Sequence, residues 1–202
     1  NKINNYEILI IDNNSKDKTL KKIERFKSNN FIKVIKNKKN IFYSGSVGKI
    51  IKYSKFSNIG IIDSDGQYNF KDFKKLFSKL NEGNDIVFGF RSNRMDSNLR
   101  ILVSKIFNLL SKIILKSSLK DLNCGIKVLK KPNNFNKLSF RINHANPEIF
   151  CLFKFNNKKI AEVNVSHSFR NEGKSIHNIF NLIYTFFEVL SYFLKLRKKY
   201  LI

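Results

Sequence analysis

Short apolar runs alternate with helical periodicities along the first half of the chain. Tyr6–Asp12 (YEILIID) is a β-branched run that reads as a buried strand, stopping at the turn cluster Asn13-Asn14-Ser15. Ser15 or Asp17 can then cap a helix over 17–28, with Leu20, Ile23 and Phe26 on one face. A second strand follows over Phe31–Ile35, and Ser44 or Ser46 opens a helix in which Val47, Ile50 and Ile51 recur at helical spacing. Asn58–Asp63 is again apolar and ends in acid, Phe70–Leu80 is an amphipathic helix, and Asp85–Gly89 is a strand running into Phe90-Arg91. Strands alternating with helices predict right-handed crossovers and a mostly parallel central sheet flanked by helices, an α/β fold.

The second half changes character. Leu99, Leu102, Val103, Ile106, Phe107, Leu110, Ile113 and Ile114 form a long apolar stripe between Asn98 and Lys116. Asp121–Lys131 is a loop leading into a short strand, and Ile160–Val165 is another strand. From Ile176 to Leu196 runs an apolar helix broken by Asn178, Asn181 and Glu188, and it ends in Lys195-Leu196-Arg197-Lys198-Lys199. It is either an amphipathic helix packed on the domain or an interfacial helix whose basic end meets anionic headgroups. Aromatic residues at Phe180, Tyr184, Phe186, Phe187, Tyr192 and Phe193 favour the second. The expected organisation is therefore a domain over 1–175 and a helical appendage over 176–202.

Composition narrows the class. The length of 202 residues suits one compact domain with a real core, and 42% hydrophobic residues exclude a disordered polycation. Cys124 and Cys151 are too few for a disulfide scaffold and point to a reducing cytosol. No signal peptide and no charge-free stretch of membrane-spanning length is visible. The formal charge of +24 is either diffuse or directed at an anionic partner: nucleic acid, a membrane surface or a phosphorylated substrate. A nucleic-acid module would present aromatics beside clustered cations; here they sit mostly in apolar stripes, so no nucleic-acid partner is expected.

In open parallel sheets the residues after the strand carboxyl ends share one rim, where ligands bind. Asp12, the pair Asp63 and Asp65, and Arg91 all stand at such ends. Their convergence would be costly without an ion or ligand to balance it. Asp63-Ser64-Asp65 is the sharpest signal, because carboxylates at i and i+2 can face one cation. Mg2+ or Mn2+ takes one or two protein carboxylates and completes its shell with phosphate oxygens and water. Bridging a diphosphate, such an ion neutralises charge building on a leaving group.

These residues resemble inverting family 2 glycosyltransferases of the dolichyl-phosphate mannose synthase-like branch. The matching segments are Glu7–Thr19 (EILIIDNNSKDKT), Ile61–Tyr68 (IIDSDGQY), Asp85–Arg94 (DIVFGFRSNR), Asp121–Lys127 (DLNCGIK) and Glu162–Ser175 (EVNVSHSFRNEGKS). The resemblance implies a GT-A, Rossmann-like nucleotide-diphospho-sugar transferase fold. It implies transfer from a GDP- or UDP-linked sugar to a polyprenyl phosphate, at the inner face of the membrane. Asp12, beside the backbone of Ile10, would meet the nucleotide base. Asp63 and Asp65 would hold metal and diphosphate, with Ser64 and Gln67 close by, and Asp65 and Arg91 would be catalytic. Arg170 would close over the donor, while Arg91, Arg94 and Arg100 would receive the acceptor phosphate. Asp121, Cys124 and Gly125 match a loop of structural role, and Cys124 reads as a small buried residue.

A lipid phosphate is already ionised near neutral pH and needs no strong base. A saccharide hydroxyl would need one, for which Glu148 is the candidate, otherwise a helix N-terminal acid. His144, His167 and His177 show no metal-ligand spacing and read as surface or loop residues. The family opens with a strand and helix before Glu7, so the resemblance implies an N-terminally incomplete domain. Asn13 stands for a frequent second Asp, Phe42 and Ser44 occupy a turn that is usually Gly-rich, and Ile176 stands where a Lys is usual. The competing readings are a glycosyltransferase acting on a saccharide hydroxyl, a nucleotidyltransferase, a basic nucleic-acid module and an inactive fragment.

Overall fold

A computed structural model describes residues 5–26, 28–135, 138, 145–169 and 182–201. Two compact units emerge, one of residues 1–59 and 130–145, the other of residues 60–129 and 146–202. The first carries β1 (Ile8–Asp12), α1 (Thr19–Glu24), β2 (Ile32–Lys36) and α2 (Phe42–Tyr53). Parallel pairing sets Ile8 opposite Ile32 and Asp12 opposite Lys36. The α1 helix stops four residues short of its expected end, and Phe26, expected on its apolar face, is exposed. Nothing in α1 is fully buried, so no packing carries the helix further. By contrast α2 buries Val47, Gly48 and Ile51. Tyr6, Phe31, Phe42 and Tyr53 are exposed in this unit, so the aromatics are less confined to apolar stripes than their spacing suggests.

At the head of α2, Phe42 adopts φ 58°, the left-handed region that favours glycine. A phenylalanine thus holds a backbone conformation that glycine adopts without strain. The Asn40 carboxamide oxygen accepts the Phe42 N–H at 2.8 Å and pins the turn.

The second unit is built on a sheet of order β3-β5-β4-β6, with β3 (Asn58–Ile61), β4 (Ile86–Phe90), β5 (Lys127–Lys130) and β6 (Ile160–Asn164). The β4 and β6 strands run parallel, whereas β5 runs antiparallel to β4 and separates it from β3. Ile86, Val87 and Phe88 on β4 are fully buried, each worth about 1.5–3 kcal/mol in apolar transfer. A short 3-10 turn at Phe70–Asp72 leads into α3 (Phe73–Asn81). Phe73, Leu76 and Leu80 of α3 pack with Val87, Ile126, Val128 and Val165 in the core.

Three further helices complete the unit: α4 (Asn98–Leu115), α5 (Ala145–Lys154) and α6 (Leu182–Leu201). The apolar stripe of α4 divides between two faces. Phe107, Ile114 and Leu115 are buried, and Leu99, Leu102, Ile106, Leu109 and Ile113 are exposed. The Phe107 ring meets Phe193 of α6 edge-on at 5.0 Å, so α6 packs on this unit. The expected boundary at 175/176 lies outside the described residues.

Candidate active site

The loop after β3 carries the paired carboxylates. The Asp63 N–H donates to the Gly125 carbonyl at 3.2 Å, tying the strand end to the loop before β5. A Cβ on Gly125 would stand 2.2 Å from Oδ2 of Asp63, so only glycine admits that carboxylate. The Gly125 N–H donates to the Tyr68 hydroxyl at 2.9 Å, which closes the cradle. One Asp65 carboxylate oxygen accepts the Gln67 N–H at 3.2 Å across the turn at Gly66, whose φ is 76°. Both aspartates are partly accessible, Ser64 is exposed and Gln67 is buried. The Gln67 side-chain amide donates to the Ser168 carbonyl at 3.2 Å, and the Ser168 N–H returns to the Gln67 carbonyl at 2.8 Å. The carboxylate loop is thereby clamped to the chain leaving β6.

Lys127, first residue of β5, is fully buried. Burial pulls its ammonium pKa down, and the charge of Asp63 opposes that. Among the described residues no cluster of three or more His, Cys, Asp or Glu side chains is placed to hold a metal. Asp63 and Asp65 are carboxylates of the type that a hard cation takes while keeping waters and substrate oxygens.

A second cluster surrounds the end of β4. Arg91 makes a bidentate pair with Asp121, Nε to Oδ2 at 2.6 Å and Nη2 to Oδ1 at 2.9 Å. Both side chains are nearly buried, so the guanidinium edge expected to meet phosphate is already engaged by Asp121. Burial pulls the guanidinium pKa down, yet the hydrogen bonds and charge of Asp121 overcome it and leave it raised. Arg94 and Arg100 both bond Asp96, whose side chain is 1% exposed. Among the described residues, three guanidiniums thus face two carboxylates, with one positive charge in excess.

His167 lies in the loop after β6, one of the two placements expected of it, but is buried against this cluster instead of surface-exposed. Its Nδ1 accepts the Met95 N–H at 3.2 Å, and the ring meets Tyr68 edge-on at 5.4 Å. Burial first, then Arg91, lowers its pKa below the usual imidazole value. Cys124 is buried as expected and its thiol is pushed up to about 11, chiefly by burial, which leaves no thiolate nucleophile.

Asp12 ends β1 in the first unit, buried, with both carboxylate oxygens 3.4 Å from the Ser15 N–H. Ile10 lies in the β1–β2 ladder opposite Val34. Asn13 joins the turn by accepting the Ile41 N–H at 2.9 Å and the Asn37 amide at 3.1 Å. Glu148, the candidate base, is buried on α5 and pairs with Lys199 of α6 at 2.8 Å. Arg170, Lys174, Ile176, His144 and His177 lie outside the described residues. Asp96, His167, Tyr68 and Lys127 escaped sequence reasoning. For Asp96 a local signal existed, since Arg94 and Arg100 flank it at i−2 and i+4.

Comparison with known proteins fits this geometry. Dolichyl-phosphate beta-glucosyltransferase of Dictyostelium discoideum is 34% identical over 141 residues, 62% of this chain and 43% of that protein. Undecaprenyl-phosphate 4-deoxy-4-formamido-L-arabinose transferase of Shewanella sediminis is 26% identical over 189 residues, 92% of this chain and 56% of that protein. The chain spans about half the length of these curated relatives. Among solved structures, glucosyl-3-phosphoglycerate synthase of Mycobacterium tuberculosis bound to phosphoglyceric acid superposes with a TM-score of 0.66 at 16% identity. That match covers 97% of this chain and 69% of the synthase. The same enzyme with Mn2+, uridine diphosphate and glucosyl-3-phosphoglycerate gives 0.65 at 15%, covering 97% of this chain and 69% of that one, and the two together show the GT-A fold. The pattern of Glycosyl transferase family 2 runs through residues 1–130, well over half of the chain, and this chain belongs to that family.

Proposed function

We propose that the chain transfers a sugar from a GDP- or UDP-linked donor to a polyprenyl phosphate, with inversion at the anomeric carbon. The observation that carries this reading is the Asp63 carboxylate seated over Gly125 beside Asp65, in the same unit as the surplus arginine charge. Family membership supports it, as do relatives named for transfer to dolichyl and undecaprenyl phosphates. The carboxylate pair and its glycine cradle fit Mg2+ or Mn2+, and structural neighbours that bind Mn2+ with uridine diphosphate support a divalent ion. When bound, the ion would neutralise charge on the departing nucleoside diphosphate.

The chain's own residues do the rest. Asp63 and Asp65 orient the diphosphate end of the donor, and contact with the base is the role the family resemblance implies for Asp12 and Ile10. Arg91, locked by Asp121, stiffens the end of β4 and lends its charge, while Arg94 and Arg100 receive the acceptor phosphate. The acceptor oxygen is already ionised, so no general base is called for. Glu148, engaged with Lys199, supports that assignment over a saccharide hydroxyl. The enzyme would work peripherally on the cytoplasmic face of a membrane, with the exposed apolar residues of α4 and the basic end of α6 against lipid. None of the described helices is long and apolar enough to cross one.

The test is transfer from a panel of UDP- and GDP-sugars to undecaprenyl phosphate, with Mn2+ or Mg2+. Asp65→Asn should lower turnover by about 100-fold or more while the melting temperature holds, and Asp63→Asn should lower it as far but also cost stability, because the buried Lys127 ammonium loses an opposing charge. Undiminished transfer by either variant would overturn the reading.

A further inference from the structure

Asp96 is an unusual hub. Arg94 bonds its Oδ2 through Nε at 3.0 Å and Nη2 at 2.7 Å, while Arg100 reaches Oδ1 through Nη1 at 3.0 Å. Nη1 of Arg91 stands 3.9 Å from Oδ2, and Nε2 of His167 stands 4.0 Å away. A carboxylate this deeply buried is costly to desolvate, and its negative charge weakens the pull of the cluster on any anion. An anion site built for attraction alone would do better without it. What the carboxylate adds is geometry. It fixes two long, rotamer-rich side chains before a ligand arrives, so binding need not order them. Arg91 and Arg94 are largely enclosed, but the Arg100 side chain is 38% exposed. Among the described residues Arg100 meets a carboxylate only through Nη1, which leaves Nε and Nη2 for a ligand.

We infer that Asp96 is the positioning residue of the acceptor end of the site, holding Arg100, with Arg94 beside it, in the orientation that receives a phosphate monoester. The inference rests on the reading above that Arg100 meets the acceptor phosphate. It makes Asp96 act through placement and against its own charge, and that fixes the sign of the test.

The probe is farnesyl phosphate, titrated calorimetrically into the full chain in mild detergent. Asp96→Asn removes the negative charge and leaves the site one unit more positive. Asp96→Glu keeps the charge and moves the carboxylate by one methylene. Placement requires both variants to bind about tenfold more weakly, as loss of an orienting partner generally does. In turnover the acceptor KM should rise with donor KM and kcat unmoved, a split that a merely structural lesion would not produce. Tighter binding by Asp96→Asn, or unchanged binding by Asp96→Glu, would overturn the inference while leaving the acceptor reading intact. Should Asp96→Asn fold poorly by circular dichroism, Asp96→Glu decides. Arg100→Gln is the control. If wild type ignores farnesyl phosphate, or Arg100→Gln binds it equally well, the acceptor reading fails and this inference with it.

Discussion

Gly125 shows how a single missing side chain sets up the chemistry. Its bare Cα lets the Asp63 carboxylate lie where a methyl group would stand 2.2 Å from Oδ2 and 2.7 Å from the Tyr68 ring. In Gly125→Ala the carboxylate must turn away, and Tyr68, bonded to the same backbone, restricts the retreat. We expect Mn2+ affinity to fall by about tenfold or more, at a stability cost of about 1–3 kcal/mol for overpacking. Mn2+ titration alongside urea denaturation checks this, and unaltered affinity would sink the cradle. Phe42 is the converse case, a bulky residue in a glycine conformation with its ring mostly in water. Phe42→Gly should raise stability by about 0.5–1 kcal/mol, since the left-handed penalty exceeds what glycine adds in chain entropy. Phe42→Ala should give no such gain in the same denaturation series. Asp63 and Asp65 could be singled out in the sequence because both and their turn lie within five residues. The partners of Lys127 and Asp121 could not, because Asp63 and Arg91 lie 64 and 30 residues away and only the folded sheet brings them together.

Strong periodicity made α4 readable to within one residue, yet it could not say which apolar positions face inward. Leu99, Leu102, Ile106, Leu109 and Ile113 repeat at intervals of three and four on the open side, the spacing of a continuous stripe. No acidic residue occurs on α4, and Lys105 and Lys112 are exposed among these positions, which would repel a second copy but suit anionic lipid. Leu109→Glu with Ile113→Glu should cut co-sedimentation with phosphatidylglycerol vesicles several-fold. Folding stability should stay within about 0.5 kcal/mol, since both side chains are more than half exposed. Equal sedimentation by the double variant would remove α4 from the lipid contact. The α1 helix was overread because Leu20, Ile23 and Phe26 have helical spacing but find no core. The short strand β5 was expected, but its antiparallel direction was unreadable for a different reason. Four residues (KVLK) carry no directional signal, and their place between β3 and β4 is a property of the assembled sheet.

Acid stability draws these local environments into one global quantity. His167 has a folded pKa below its ordinary 6.5, so the unfolded chain binds the extra proton first as pH falls. Its contribution is therefore complete above 6.5 and is lost on acidification through that value, at up to about 1.4 kcal/mol per pH unit for one proton. Asp96 and Asp72 are also lowered, against burial, by the arginines around Asp96 and by the Ser166 N–H and Lys75 at Asp72. Their contributions fade only as pH drops below the ordinary 3.8. Glu162, raised by burial despite accepting the Lys120 and Asp121 N–H groups, works in the opposite sense and softens the first decline. The formal charge of +24 adds a self-repulsion that grows as carboxylates are neutralised. Raw acid curves thus mix several terms, and a difference between chains separates them. Between pH 7.5 and 5.5, wild type should lose more unfolding free energy than His167→Gln, whose side chain cannot titrate. In 0.5 M salt, where charges beyond a few ångströms are screened, that difference should persist because His167 is enclosed. Parallel urea curves for the two chains across this range would refute a neutral, buried His167.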